Sequence, residues 1–351
     1  MRRILVLAAA AASFAATAAP AAKWSIEPFA VCELDDSLSG LSGITWKGGS
    51  SFWAVSDRSA GLHPLEVVIS DAGEPSVSCS AGAAVKVAGA ADLEGCAFDP
   101  LRGTLWVSDE KDTSIREVDP ATGIRGASAP LAGCFAKARR NRSLESLAIS
   151  RDALEMWTAN EEALECDGPR ATGASGTVVR IARFVREGAE DMWRRAGQWA
   201  AVTERLSAAG NMTFSNCCGV SDLCVMPDGT LVMLEREVSG NMLRFRLYEM
   251  DMSCADDVTD VPSLAGGGFR PVAKRLIHSE SQRFSILRQN PLLGNYEGVC
   301  AGPRLGRGGT ALVLVSDSGD GFSRPLLKVL RAMPAASGGV RGETSGIKKG
   351  E

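Results

Sequence analysis

Apolar residues in this chain fall into runs of strand length, paired across turns, and the pairing recurs. Each copy starts on a small or acidic residue, passes through an apolar strand, a turn and a second apolar strand, and ends on polar or acidic residues. The five copies are 41–58 (LSGITWKGGSSFWAVSDR), 93–110 (LEGCAFDPLRGTLWVSDE), 144–161 (LESLAISRDALEMWTANE), 220–236 (VSDLCVMPDGTLVMLER) and 296–318 (YEGVCAGPRLGRGGTALVLVSDS). A paired-strand unit that returns roughly every 50 to 75 residues predicts a propeller-type array.

Each copy is followed by further strand-like runs. A third strand is predicted at 65–70, 114–118, 177–184, 244–250 and 326–330, and a fourth at 84–87, 125–130, 198–203 and 271–277. Four strands per unit make a propeller blade. The last unit has only three, while residues 24–34 (WSIEPFAVCEL) form a strand-like run ahead of the first. We expect that run to complete the last blade, which joins the two ends of the chain and removes an exposed edge. The predicted fold is therefore all-β, a single β-propeller over 24–332 with five blades, or six if 163–219 hides a degenerate one. Residues 187–195 read as a charged insertion with helical character, and 254–268 as a polar loop. The tail 335–351, rich in Gly, Ser and charge, is expected to be disordered. Trp53, Trp106 and Trp157 sit at matching places in the second strands and are assigned to packing between blades.

Composition adds limits. The 351 residues suit one propeller, and 45% hydrophobic with 23% charged residues is ordinary for a globular protein. The net charge of −4 and the lack of a basic stripe argue against nucleic-acid binding; the short run 137–142 (KARRNR) reads as a solvated loop. Arg2 and Arg3, the apolar stretch 4–16 and Ala16-Thr17-Ala18 form a secretory leader, residues 1–18, with cleavage between Ala18 and Ala22. We expect an exported monomer, periplasmic or extracellular, without a membrane span. Ten cysteines permit disulfides in that setting. Cys96, Cys224 and Cys300 read as small buried hydrophobes, leaving Cys32, Cys79, Cys134, Cys166, Cys254 and the Cys217-Cys218 pair as bridging candidates. His63 and His278 are too few for a histidine metal site.

The repeat also aligns the acids. In an antiparallel pair, the start of one strand and the end of its partner share one end. Those ends carry Ser42 and Asp57, Glu94 and Asp109, Glu145 and Asn160-Glu161, Ser221-Asp222 and Glu235, and Glu297 and Asp317. Around an axis they would form a ring on one rim. Clustered carboxylates must protonate or take a cation, and Ca²⁺ accepts about six to eight oxygens in flexible geometry. Arg58, Lys111 and Arg236 adjoin the ring and could hold an anion. Repeated acids also serve as turn formers, which is the competing reading of each position. No G-x-S-x-G elbow, P-loop or dinucleotide fingerprint is present. Residues 317–321 (DSGDG) hint at a calcium loop without the full pattern.

At these residues the chain resembles the "esterase-like activity of phytase" family, a phytase-like propeller domain of secreted bacterial proteins. The resemblance rests on Leu41-Ser42-Gly43 with Val55-Ser56-Asp57-Arg58, and on Leu93-Glu94-Gly95 with Ser108-Asp109-Glu110. It continues in Leu144-Glu145-Ser146, in Ser221-Asp222-Leu223 with Leu234-Glu235-Arg236, and in Tyr296-Glu297-Gly298 with Val315-Ser316-Asp317. It implies a hydrolase of phosphate or carboxylic esters in which calcium bridges substrate phosphates. Ala159-Asn160-Glu161 departs from the Ser-Asp pattern. The expected activity is an exported, calcium-dependent hydrolase of a small anionic ester, a phosphoester first. Asp57, Glu94, Asp109, Glu145, Glu235, Glu297 and Asp317 are the candidate metal ligands, and Arg58, Lys111 and Arg236 the substrate clamp. No general acid is identifiable. The alternatives are a non-catalytic binding propeller and a metal-dependent lactonase or carboxylesterase.

Overall fold

The structure, a computed structural model, describes residues 22–207, 216–283, 292–319 and 323–335. The expected leader 1–18, the tail from 336 onward and part of the 317–321 loop lie outside the described residues. Strands in chain order are β1 (Trp24–Glu33), β2 (Leu41–Gly48), β3 (Ser51–Ser56), β4 (Gly61–Ser70), β5 (Ser76–Ala81) and β6 (Val85–Lys86). They continue as β7 (Leu93–Asp99), β8 (Thr104–Asp109), β9 (Ser114–Val118), β10 (Arg125–Ser128), β11 (Ala148–Ile149), β12 (Glu155–Ala159), β13 (Val178–Val185) and β14 (Arg194–Val202). The last are β15 (Cys217–Val225), β16 (Leu231–Ser239), β17 (Met242–Asp251), β18 (Ala273–Arg283), β19 (Asn295–Arg304), β20 (Thr310–Asp317) and β21 (Leu326–Pro334).

These strands form five antiparallel sheets, ordered β2-β3-β4-β5, β7-β8-β9-β10, β11-β12-β13-β14, β15-β16-β17-β18 and β19-β20-β21-β1. Each first strand is innermost. The inner strands neighbour one another in the order β2, β7, β11, β15, β19 and back to β2, so the sheets close into a five-bladed propeller. No helix among the described residues is long and apolar enough to cross a membrane.

The ring closes as the first strand-like run predicts. β1 is the outermost strand of blade 5, with Trp24 opposite Pro334 and Glu33 opposite Leu326. The pairing runs past both ends, through Leu34 N–H to Pro325 O and Ala335 N–H to Lys23 O, each 2.7 Å. Trp24 also ties the closing strand to blade 4: its backbone N–H donates to Glu249 Oε1 (2.6 Å) and its indole N–H to Asp228 Oδ1 (3.2 Å).

Apolar side chains pack between blades rather than in one central core. Val55 and Leu62 meet Leu93 and Leu105 between blades 1 and 2. Trp106 joins Phe184 and Trp193 between blades 2 and 3, and Trp157 joins Leu223 and Tyr248 between blades 3 and 4. At the axis the inner strands approach so closely that side chains are excluded. A Cβ on Gly43 would lie 2.4 Å from Glu94 O, one on Gly95 2.7 Å from Leu147 N, and one on Gly298 2.8 Å from Ser42 O. The glycine of the repeated Leu-x-Gly start is thus a requirement of axial packing.

Four expectations change. The fourth strand of blade 1 is β5, not 84–87; Val85 and Lys86 instead pair with Leu62 and Gly61 on β4. No sixth blade exists among the described residues, because 163–219 contains β13, β14 and the start of β15. The stretch 187–195 makes bends and a turn before entering β14, with no helix; its Trp193 is buried against the Trp106 ring at 6.2 Å. All ten cysteines are free thiols, including the bridging candidates Cys32, Cys79, Cys134, Cys166, Cys217, Cys218 and Cys254. Cys217 and Cys218 are consecutive on β15, so their side chains leave opposite faces of the sheet.

Candidate functional site

The starts of the inner strands and the ends of the second strands meet at one end of every blade. Leu41 lies opposite Ser56, Leu93 opposite Asp109, Val220 opposite Glu235 and Asn295 opposite Asp317. Over these ends sits a cavity of about 370 Å³. Among the described residues seven carboxylates line it, from Asp57, Asp92, Glu94, Glu110, Glu145, Glu297 and Asp317, against three arginines, Arg58, Arg142 and Arg236. Two sets of carboxylate oxygens converge to within 4.8 Å: Asp92, Glu94 and Glu110, and Glu110, Glu145 and Glu161. Glu110 belongs to both.

The structure therefore brings together five of the seven acids expected as ligands: Asp57, Glu94, Glu145, Glu297 and Asp317. Asp109 and Glu235 are elsewhere. Asp109 is ion-paired with Arg125 of its own blade and accepts the N–H groups of Ala91 (3.1 Å) and Lys111 (3.2 Å). Glu235 is wholly buried, 3.0 Å from both Arg246 and Lys274, and accepts Glu204 N–H. The reason is strand alternation. Successive side chains leave opposite faces, so where Asp109, Asn160 and Glu235 turn into their blades, the next residues, Glu110, Glu161 and Arg236, turn to the axis. Asn160 shows the blade-facing role plainly, with its Oδ1 accepting Arg180 N–H (2.8 Å). Asp92, one residue before the repeat, was missed altogether, as was Glu110; Glu161 was placed on the ring but not among the ligands. Glu110 and Glu161 stood inside the repeat; a one-residue change of phase would have put both in the ligand set.

The cations divide in the same way. Arg236 is buried in the ring, with Nη1 2.6 Å from Glu297, Nη2 3.0 Å from Glu161 and Nε donating to Ser221 Oγ (3.2 Å). It acts as a resident counter-ion. Arg142 pairs with Glu161 (3.0 Å) and Glu162 (3.6 Å). Arg58 is exposed at the mouth and donates to Gly319 O (2.7 Å). The Lys111 side chain is exposed and does not line the cavity, although its charge partly offsets the rise that burial and Asp109 impose on Asp92.

Negative charge exceeds what the arginines balance, and the acids respond. Burial, then Asp317, pushes Asp57 up to about 6. Burial lifts Glu110 to about 7, partly offset by the Ser143 N–H it accepts. Glu297 rises to about 8 through burial, despite Arg236. Glu94 and Glu145 stand well above the ordinary range through burial, reinforced by Glu297 beside Glu94 and by Glu161 beside Glu145. Asp92 is raised by burial and then by Asp109.

The cavity suits a hard cation. Its polar lining is carboxylate, amide and guanidinium, plus one thiol, Cys217, whose pKa burial raises. Two buried oxygens near it, Asp57 Oδ1 and Ser42 Oγ, have no hydrogen-bond partner. Unpaired acceptors within an excess of carboxylate are what a divalent ion with oxygen preference would use.

A family model described as "Phytase-like: Esterase-like activity of phytase" matches residues 36–319. No curated protein sequence matches. Among solved structures, the chain is similar to virginiamycin B lyase from Staphylococcus aureus, at 11% identity over 88% of this chain and 99% of that one, TM-score 0.37. It is similar to a chain of a nidogen/laminin complex, at 9% identity over 88% and 97%, TM-score 0.41. Hydrazine synthase of Kuenenia stuttgartiensis is matched at 12% identity over 82% of this chain, TM-score 0.35; the match spans 58% of that chain.

Proposed function

Starting from the fact that the chain belongs to the Phytase-like family, we propose that its rim cavity is a calcium-dependent site for hydrolysis of a small anionic ester, a phosphoester first. One observation carries this reading: among the described residues seven carboxylates share one cavity with three arginines, and two of those arginines are already ion-paired. Asp92, Glu94, Glu110, Glu145 and Glu161 would hold the cation, with Asp57, Glu297 and Asp317 beside them. Asp109 and Glu235 are not in this set. Bound there, Ca²⁺ would neutralise an anionic ester and lower the pKa of a water molecule.

The chain's own residues supply the rest. Arg236 fixes Glu161 and Glu297 through a fork of donors, which holds acids from blades 3 and 5 in register. Arg142 holds the other oxygen of Glu161. Arg58, exposed at the mouth and bonded to a carbonyl, is the cation best placed to receive a substrate anion. The buried members of the ring, Glu94, Glu110, Glu145 and Glu161, sit where charges interact more strongly than in open water.

The test is metal content of the purified protein together with hydrolysis of p-nitrophenyl phosphate, p-nitrophenyl acetate and a simple lactone, in Ca²⁺ and in EGTA. Phosphate release that needs Ca²⁺ supports the proposal. Turnover of the acetate or lactone alone would move the substrate class to carboxylic esters. Tight Ca²⁺ binding without turnover of any of the three would make the rim a binding site.

A further inference from the structure

The inner strands open at both ends of the ring. At the end away from the acids, their far halves enclose a second cavity of about 270 Å³. Between the two lies Asp222, which follows the rim residue Ser221 on β15 and precedes Leu223 of the second cavity. Its buried carboxylate accepts the N–H groups of Leu147 (3.3 Å), Leu223 (2.8 Å) and Val299 (2.7 Å), one from each of three successive blades. That cross-tie joins three inner strands between the two cavities.

The second cavity has the opposite chemistry. Its lining includes Leu147, Leu223, Val299, Cys96, Cys224 and Cys300. Burial raises the pKa of all three thiols, so they remain neutral. Among the described residues no carboxylate lines it, and Lys47 and Arg151 stand exposed at its mouth. Arg151 lies over the Trp46 ring, 5.9 Å from the centroid, and Trp46 is itself held by its indole N–H to Gly49 O (3.0 Å). An apolar interior with a few charged groups at its edge is the usual build of a small-molecule pocket, and this volume is just below the common range of about 300–1,000 Å³.

We propose that this cavity binds a small amphiphilic anion, a carboxylate or sulfonate on an aromatic body of two or three rings. The body fills the space among the inner strands, and the charge meets Arg151 and Lys47 beside the Trp46 face. This site is separate from the rim and independent of calcium.

The probe is 8-anilinonaphthalene-1-sulfonate, titrated into the full chain with fluorescence detection. One saturable site with blue-shifted emission is expected, the same in Ca²⁺ and in EGTA. Arg151→Glu and Trp46→Ala should each weaken it by about tenfold or more; Arg151 is exposed, so its replacement leaves folding intact, which circular dichroism verifies. The neutral analogue N-phenyl-1-naphthylamine should bind about tenfold more weakly. The proposal is overturned by no saturable binding, by binding that either substitution leaves within twofold, by equal binding of the neutral analogue, or by binding that follows Ca²⁺.

Discussion

Glutamates at the strand ends of different repeats have different fates here, and substitution separates them. Glu94→Gln and Glu297→Gln keep size and hydrogen bonding while removing a rim charge. Each should lower Ca²⁺-dependent hydrolysis by about 10- to 100-fold, with the loss tracking metal content. Glu235→Gln should behave otherwise. It removes a charge that pairs with Arg246 and Lys274 inside blade 4, so stability should fall by about 2–3 kcal/mol in denaturant titration while metal content stays near normal. Equal loss of metal in Glu235→Gln and Glu94→Gln would refute the division. Arg58→Ala should raise KM for an anionic ester and spare metal content, because Arg58 is exposed at the mouth and is not among the proposed ligands. The recurrence of acids was legible in the repeat. Which acid of each pair faces the axis was not, because alternation fixes only that neighbours differ. The blade-side partners that settle the phase, Arg125, Arg180 and Arg246, come from other strands.

Strands were legible where burial wrote an apolar pattern. β9 spans the residues expected of it, and the closing role of β1 followed from a blade short of one strand. β5 was missed because an outer strand is solvated: Ser-Val-Ser-Cys-Ser-Ala carries one strongly apolar residue. The inner strand of blade 3 shrinks to two residues because side chains take over its ladder. Ser146 Oγ accepts Ala159 N–H (2.8 Å), Thr158 Oγ1 donates to Ser146 O (2.7 Å), and Asp222 takes Leu147 N–H. Two strand-level predictions follow from closure and axial packing. Deleting residues 24–34 should strand β21 as an open edge and leave Glu249 without its Trp24 partner, giving aggregated or unfolded protein; a soluble truncation with a normal melt would rule out closure by β1. Gly95→Ala should cost about 3 kcal/mol, since its Cβ meets backbone atoms of blade 3 at 2.7–2.8 Å that have no room to retreat. An unchanged melting temperature would show that the inner strands are not in contact there.

The ring as a whole stores its acids at one end, and that asymmetry fixes how stability depends on pH and calcium. Without metal, the folded rim holds protons that the unfolded chain releases. Glu110 titrates at about 7 and Glu297 at about 8, against an ordinary 4.5 for each. A carboxyl whose pKa is raised by folding contributes its stability fully below the unfolded value and loses it as pH rises through the folded value. In EGTA the melting temperature should therefore fall from about pH 5 to about pH 8. His63, whose pKa is lowered by burial, opposes this slope, but it is one group against several. Saturating Ca²⁺ replaces the protons, so it should flatten or reverse the decline and raise stability by about 2.7 kcal/mol at a hundredfold excess over Kd. Because the cation displaces protons, its affinity should climb across the same interval, with proton release measurable in weakly buffered solution. Glu297→Gln removes one of the titrating groups and should make the EGTA profile shallower between pH 5 and 8. A metal-free melting temperature that instead rises through that interval would mean the rim acids are ionised in the folded protein. The excess of carboxylate over arginine would then be balanced by the protein itself, and the case for a cation at the rim would be lost.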